Sequence, residues 1–162
     1  MTLQNTTRQR KLTGTWVWLF PLTYLIHIAE EYWLGGGFPV WVSRVAGVNL
    51  TPARFLELNA FAWIFMAVTI AIAANTAAAG WVVTSFATVL SINAVLHLVG
   101  SIVTRSYSPG LISGVLIWFP LGAYALHRSW KVAPRATFWI GILVGILLQG
   151  IISLLAFSGG RV

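Results

Sequence analysis

Residues 134–157 read PRATFWIGILVGILLQGIISLLAF, and this stretch decides the class of fold. Its only charged residue is Arg135, close to its start. A helix needs about 20 predominantly apolar residues to cross the hydrocarbon core of a bilayer. We therefore predict that this stretch is a transmembrane helix and that the chain is an integral membrane protein.

The composition of the whole chain agrees with this prediction. Of its 162 residues, 58% are hydrophobic and 8% are charged, and the mean hydropathy is +0.84. The length allows roughly four to six spans and no additional soluble domain, which excludes a separate catalytic or nucleic-acid-binding domain. We attribute the net charge of +7 to basic residues that flank the spans and contact anionic lipid. The absence of Cys excludes disulfides, iron–sulfur clusters and thiolate zinc sites.

Four further apolar stretches complete the predicted bundle, at residues 15–34, 52–74, 81–104 and 109–127. After the first stretch, three glycines precede a short apolar segment, residues 38–48, which we predict to be interfacial or re-entrant. The predicted fold is all-α, a single domain of five transmembrane helices over residues 15–157. A polar N-terminal tail, residues 1–14, and a short C-terminal tail, residues 158–162, flank it.

Proline marks where several of these helices start or bend. Thr51-Pro52 and Ser108-Pro109 each combine an N-cap residue with a proline suited to the first helical turn. They predict the starts of the second and fourth spans, and Pro134 predicts the start of the fifth. Pro120 lies inside the fourth span and predicts a kink there.

The distribution of Lys and Arg predicts the orientation. Six basic residues lie on the side of the N-terminus: Arg8, Arg10, Lys11, Arg128, Lys131 and Arg135. Four lie on the other side: Arg44, Arg54, Arg105 and Arg161. Because cytoplasmic loops carry the excess of positive charge, we expect a cytoplasmic N-terminus and a C-terminus on the opposite side.

Polar residues from four spans lie at a similar distance from one face of the predicted bundle. His27 and His97 each lie seven residues before the end of their span, Gln149 lies eight residues before its end, and Glu57 lies five residues into the second span. The helical rise places all four roughly 8–12 Å below one surface. Tyr107 lies in the loop just above. Because polar groups are costly in lipid, we expect them to face the bundle interior.

The first span carries the densest polar group. His27, Glu30 and Glu31 have the spacing i, i+3 and i+4, so the histidine can meet either carboxylate one turn away. The two carboxylates diverge by about 100° around the helix axis. On the third span, a second polar stripe repeats every four residues, at Asn93, His97 and Ser101.

Three sequence elements carry a family resemblance: His27-x-x-Glu30-Glu31, the later His97, and Tyr107-x-Pro109-Gly110. In this order, in a polytopic chain, they resemble the HXXEE-domain family of small membrane proteins. The resemblance extends from about the first span to the fourth. It implies a membrane protein with an active or metal-binding site at these residues, and it implies no particular reaction.

Two mechanisms fit this polar group. The first is a metal site formed by His27, Glu30, Glu31 and His97, a donor set that suits zinc, iron or manganese. The second is metal-free acid–base chemistry, because neighbouring buried carboxylates leave one proton to donate. The candidate catalytic residues are His27, Glu30, Glu31, Glu57, His97 and Tyr107. The candidate pocket residues are Asn93, Trp63, Trp118 and Gln149.

The function we expect is a membrane-embedded enzyme that acts on a lipophilic substrate, of isomerase, cyclase or hydrolase type. The alternatives are a proton- or cation-coupled transporter and a non-catalytic metal-binding protein or scaffold. The expected partner is a membrane lipid or a lipophilic small molecule. We expect no binding of nucleic acid. The repeats Gly110-x-x-x-Gly114 and Gly141-x-x-x-Gly145 permit close helix contact, either inside the bundle or in a homodimer.

Overall fold

A computed structural model describes residues 14–76 and 79–158, and the regular elements of this part of the chain are all helical. Apart from Gly14 and Ser158, the two predicted tails lie outside the described residues. So do Arg8, Arg10, Lys11 and Arg161, which entered the orientation argument.

Six helices follow one another along the described chain. A 3₁₀ turn, Thr15–Trp18, leads into the first of them. The helices are α1 (Leu19–Trp33), α2 (Phe38–Ala46), α3 (Pro52–Ala74), α4 (Ala79–Thr104), α5 (Leu111–Val132) and α6 (Arg135–Phe157). The short α2 is the segment predicted to be interfacial or re-entrant.

Among the described residues, four helices are long and apolar enough to cross a membrane: α3, α4, α5 and α6. This supports a membrane protein, and these are four of the five predicted spans; the helix of the first segment does not reach that length. There, α1 has 15 residues, because the backbone before it tightens into a 3₁₀ turn and Gly35 to Gly37 follow its end. A helix of that length extends about 22 Å, less than the roughly 30 Å of a hydrocarbon core.

The predicted start of the second span is confirmed, and that of the fourth is wrong. Thr51 caps α3, where its Oγ1 accepts a hydrogen bond from the amide of Arg54 at 3.2 Å. By contrast, α5 begins at Leu111 after Gly110, and the Ser108 hydroxyl contacts His97 instead of capping the helix. The start of α6 at Arg135, directly after Pro134, agrees with the prediction.

The predicted distortion near Pro120 takes the form of a π-helical turn. This turn covers Gly114–Trp118, and regular α-helix resumes at Phe119. Proline has no amide hydrogen to donate to the preceding turn, so the backbone there is free to widen. The turn ends at Trp118, which is fully buried and packs against α1.

The central helix of the bundle is α4, which packs against α6, α5 and α3. Gly141 and Gly145 of α6 face Thr84 and Thr88 of α4 so closely that an added Cβ would collide with their side chains. These glycines therefore allow close contact between α6 and α4 inside the bundle.

Helix α1 runs antiparallel to α3. The Tyr24 hydroxyl donates to Asn59 Oδ1 at 2.9 Å, and Trp63 Nε1 donates to the carbonyl of Pro21 at 2.9 Å. This packing brings the C-terminal half of α1 beside the start of α5 and the last turns of α4. Several of the predicted site residues, among them His27, Glu31 and His97, meet at that end of the bundle.

Candidate metal centre

Three potential metal ligands converge at the end of α1. Nε2 of His97 lies 3.3 Å from Oε1 of Glu31, and Nε2 of His27 lies 3.7 Å from the same oxygen. The two imidazole rings are 5.1 Å apart between centroids. All three ligand atoms lie within 4.8 Å of one another, and all three residues are buried. We call His27, Glu31 and His97 the triad.

The outer nitrogen of each imidazole contacts a serine. Nδ1 of His27 lies 2.7 Å from the Ser113 hydroxyl, and Nδ1 of His97 lies 3.0 Å from the Ser108 hydroxyl. When Nδ1 carries the proton and donates it to the serine, Nε2 keeps a lone pair that faces Glu31. Ser108 is itself held, because its amide donates to the Ser101 hydroxyl at 2.9 Å.

Aromatic rings and a glycine enclose the triad. Trp118 stacks on His27 at 3.7 Å between centroids, and Tyr24 also stacks on Trp118, at 5.4 Å. Gly110 has φ +99°, and a Cβ there would lie 2.7 Å from Cε1 of His97 and 2.9 Å from Cε1 of His27. Only a glycine leaves this space open, which explains the residue type at the end of the Tyr107-x-Pro109-Gly110 motif.

Glu30 does not join its neighbour Glu31. Its carboxylate accepts hydrogen bonds from the amides of Ile112 at 2.8 Å and Ser113 at 2.6 Å, and from the Tyr107 hydroxyl. The Ser113 hydroxyl interacts with it as well. These amides belong to the first turn of α5, so Glu30 caps that helix from α1 and compensates the positive end of its dipole. The prediction of Glu30 as a metal ligand is not matched by this geometry, because its oxygens are occupied by these donors.

Tyr107 connects the loop after α4 to this cap. Burial raises the pKa of its phenol above the usual range, and the hydrogen bond to the Glu30 carboxylate raises it further. Tyr107 therefore stays protonated and acts as a donor to Glu30. It touches Glu30 and not the triad, so its predicted role as a site acid is unsupported by the contacts.

Asn93 lies one helical turn below His97 on α4, and its side chain approaches His27. Its Oδ1 is buried without a hydrogen-bond partner among the described residues. Nε2 of His27 likewise has no hydrogen bond within that part of the chain. Two buried polar atoms at the triad thus make no hydrogen bond of normal geometry, which leaves room for another group to bind there.

Three predicted residues lie elsewhere. Glu57 is exposed and pairs with Arg54 at 2.8 Å, because Phe55 and Asn59 occupy the inner face of α3. Gln149 is buried on α6, and its Nε2 donates to Ser153 of the same helix at 3.3 Å. Trp63 holds α3 to α1 through its bond to Pro21. The prediction for Glu57 and Gln149 used only their height along the helices, and height contains no information about direction around the axis.

The residues present fit a metal ion. Zinc binds imidazole nitrogen at about 2.0–2.1 Å and carboxylate oxygen at about 2.0–2.2 Å, so tetrahedral ligand atoms lie about 3.3 Å apart. The triad distances of 3.3 Å and 3.7 Å are close to that value. Two histidines and one glutamate are a donor set of catalytic zinc sites, and two histidines with one carboxylate also bind iron(II). Three protein ligands leave at least one position for another group.

The sequence did not predict the contacts of the two serines with the histidines. It predicts Ser108 to be a helix cap, and it predicts no role for Ser113. The available signal for Ser108 was its place inside the Tyr107-x-Pro109-Gly110 motif. For Ser113 no sequence signal stood out, because a serine on a transmembrane helix commonly bonds its own backbone.

Comparison with known proteins agrees with these features. The family described as "Protein of unknown function with HXXEE motif" matches residues 18–125, which contain the triad, both serines and Gly110. A curated relative is "Uncharacterized protein YrkK" of Bacillus subtilis (strain 168), 28% identical over 113 residues. That match covers 65% of each of the two chains. No solved structure matches the chain. With the family model matching well over half of its length, this chain belongs to the HXXEE family.

Proposed function

We propose that this protein is a membrane-embedded enzyme in which His27, Glu31 and His97 bind one divalent transition metal ion, zinc or iron. The single observation that carries the proposal is the convergence of three buried ligand atoms within 4.8 Å. The serine contact at each Nδ1 supports it, because metal-bound histidines almost always donate their second N–H to a neighbouring group.

The metal hypothesis explains the triad better than a structural ion pair does. In a structural ion pair both histidines would donate to Glu31 at hydrogen-bond distance, yet Nε2 of His27 lies 3.7 Å from Oε1 of Glu31, beyond that distance. Manganese is less suited, because it prefers oxygen-rich sites. When bound, the ion would polarise a substrate oxygen or activate water.

Other residues prepare the site. Ser113 and Ser108 orient the imidazoles, Gly110 leaves room beside them, and Trp118 keeps water from the face of His27. The Asn93 side chain interacts with His27, and its Oδ1 is suited to accept a hydrogen bond from a bound water or hydroxyl group. The reaction we propose is metal-assisted hydrolysis or isomerisation of a lipophilic substrate.

We further propose that the first segment crosses the membrane together with the four long helices, with the N-terminus cytoplasmic. Trp16 contacts Tyr124 and Arg128 at one end of the bundle, and Glu30 contacts Tyr107 and Ile112 at the other. The 3₁₀ turn adds about 8 Å to the roughly 22 Å of α1, and the total is close to the thickness of a hydrocarbon core.

Elemental analysis of the detergent-purified protein tests the metal proposal. We expect one zinc or iron per chain in the wild type and in the variants His127→Ala and Glu57→Gln, whose residues are exposed. We expect loss of the ion in His27→Ala, His97→Ala and Glu31→Gln.

Two results would contradict this proposal. One is wild-type protein that stays free of metal after incubation with zinc and iron(II) and removal of excess ion. The other is Glu31→Gln that elutes as folded protein and keeps a full equivalent of the ion. Comparison of elution profiles ensures that loss of metal is not mistaken for loss of the fold.

A further inference from the structure

The triad lies in an enclosed space. Its members His27, Glu31 and His97 are 1%, 7% and 5% exposed. Trp118 covers one face of His27, and Gly110 lies against both imidazole rings. Any ion or reactant that reaches the triad has to pass this enclosure, so one of its walls must be able to move.

The wall that belongs to α5 is held by hydrogen bonds to a carboxylate. The amides of Ile112 and Ser113 donate to Glu30, and so does the hydroxyl of Tyr107 in the preceding loop. Hydrogen bonds to a charged acceptor are stronger than those between neutral groups. Movement of this wall would break several of them at once, so we expect the start of α5 to stay in place.

The short helix α2 forms another wall, and its contacts with α4 are of a weaker kind. The ring of Phe38 lies edge-on to His97, with 5.9 Å between centroids. One turn later, the ring of Trp41 covers Gly100, where an added Cβ would lie 3.1 Å from it. Nε1 of Trp41 donates to the Ser106 hydroxyl at 3.2 Å, a hydrogen bond between neutral groups. These contacts can open without exposing a charge.

Glycines at both ends of α2 allow it to turn. Gly36 precedes the helix with φ +85°, and Gly47 follows it with φ +63°. A Cβ at either position would meet nothing within 4 Å, so no neighbouring group blocks movement there. Such residues at the ends of an element absorb the dihedral changes of a moving lid. Val42 packs with Leu50 and Phe55, which keeps α2 attached to α3 while its contacts with α4 open.

We propose that α2 (Phe38–Ala46) is a lid over the triad, which turns about Gly36 and Gly47 and is held closed by the hydrogen bond from Trp41 to Ser106. Because α2 joins the end of α1 to the start of α3, the opening lies at that face of the bundle. The inference goes beyond the proposed function, since closure by α2 is a property of the fold and does not require a metal.

A single cysteine in place of His97 reports opening of the lid, because the chain contains no other Cys. Detergent-purified His97→Cys is treated with a water-soluble methanethiosulfonate in the presence of a chelator. The reference is Asn49→Cys, at an exposed position. We expect the reporter cysteine to react at least about 100-fold more slowly than the reference, because a buried thiol reacts only while the structure is locally open.

Two tryptophan variants, each combined with the reporter cysteine, test what holds the lid closed. Trp41→Phe keeps a ring but loses the bond to Ser106, so the reporter should react about fivefold faster. The matched control is Trp63→Phe, which loses an indole hydrogen bond to Pro21 between α3 and α1 and should leave the rate unchanged. Phe38→Ala removes the ring over the reporter and should raise the rate by about tenfold or more.

Zinc release provides a second measurement in protein that keeps His97. Extraction of bound zinc by a chelator should be about fivefold faster in Trp41→Phe than in the wild type, with unchanged zinc affinity, because Trp41 is not a ligand. This measurement decides the question if His97→Cys does not elute as folded protein. A wild type that binds no zinc, together with a reporter cysteine that responds to Trp41→Phe, would overturn the metal proposal alone.

Three outcomes would overturn the lid. The first is a reporter cysteine that reacts as fast as Asn49→Cys. The second is an equal rate in Trp41→Phe and Trp63→Phe when both elute as folded protein. The third concerns sealed vesicles, in which an impermeant reagent should reach the reporter from the side that labels Asn49→Cys. Modification from the side that labels Lys131→Cys would contradict the proposed opening.

Discussion

The hydroxyl of Ser113 lies 2.7 Å from Nδ1 of His27, on the side of the imidazole that faces away from Glu31. When the proton of His27 lies on Nδ1 and is donated to this serine, Nε2 is left free for a metal ion. Because Ser113 also donates its amide to Glu30, the first glutamate of the motif acts on the triad through a serine of another helix. The two neighbouring glutamates thus have different roles.

Removal of the serine contacts should weaken metal binding without removing a ligand. We expect Ser113→Ala and Ser108→Ala each to reduce zinc affinity by about 10- to 100-fold, the usual effect of losing a partner of a metal-bound histidine. The zinc affinity of each variant is measured by competition with a chelating dye. Ser153→Ala, on α6 beside Gln149, is the control and should keep wild-type affinity.

The two glutamates of the motif should respond oppositely to the same substitution. Glu31→Gln should abolish metal binding, since an amide is a poor ligand for zinc or iron. Glu30→Gln should keep one ion per chain but lower the free energy of unfolding by about 1–3 kcal/mol, because one donor at the start of α5 loses its acceptor. Metal content and thermal unfolding together distinguish the two roles. Equal metal loss in both variants would count against the assignment.

A methyl group at position 110 should disturb both histidines at once. Gly110→Ala places a Cβ within 3 Å of both imidazole rings and forces alanine into a conformation with φ +99°. The backbone cost alone is about 1–2 kcal/mol. We expect at least about tenfold weaker zinc binding, since the rings must move apart. Gly150→Ala on α6 has no neighbouring atom within 4 Å of the added Cβ and serves as the control.

The phenol of Tyr107 should stabilise the fold and have no effect on metal binding. Tyr107→Phe removes a hydrogen bond to a carboxylate, which contributes about 1.5–3 kcal/mol. We expect a lower midpoint of thermal unfolding and unchanged metal content. Tyr124→Phe removes an exposed hydroxyl at the opposite end of the bundle and should change stability by less than about 0.5 kcal/mol. Loss of metal in Tyr107→Phe would show that the phenol matters for the triad directly.

The proposed crossing of the first segment is open to single-cysteine labelling, because the chain contains no other Cys. Thr15 and Asn49 are exposed and lie on the two sides of α1 in sequence. If the segment crosses, an impermeant maleimide should label Thr15→Cys and Asn49→Cys from opposite sides of sealed vesicles. Lys131→Cys should then match Thr15→Cys, and Ser158→Cys should match Asn49→Cys. Labelling of positions 15 and 49 from the same side would contradict the crossing.

The sequence by itself determined the helical class, the four long helices and the spacing that brings His27 and Glu31 together. These properties are local. Hydrophobic length follows from consecutive residues, and the helical rise converts sequence distance into height. The same regularity brought His27 and Glu31 onto one face of α1. The family motif added His97, which the structure places beside them.

Only the tertiary structure decided the direction in which each residue points. Height along a helix says nothing about direction around its axis, and Glu57 faces outward with Arg54. Glu30 and Glu31 differ by about 100° in direction, and packing of α1 against α4 and α5 turned one to His97 and the other to the first turn of α5. Rotation of a helix about its axis depends on the shapes of its neighbours, and no local pattern encodes it.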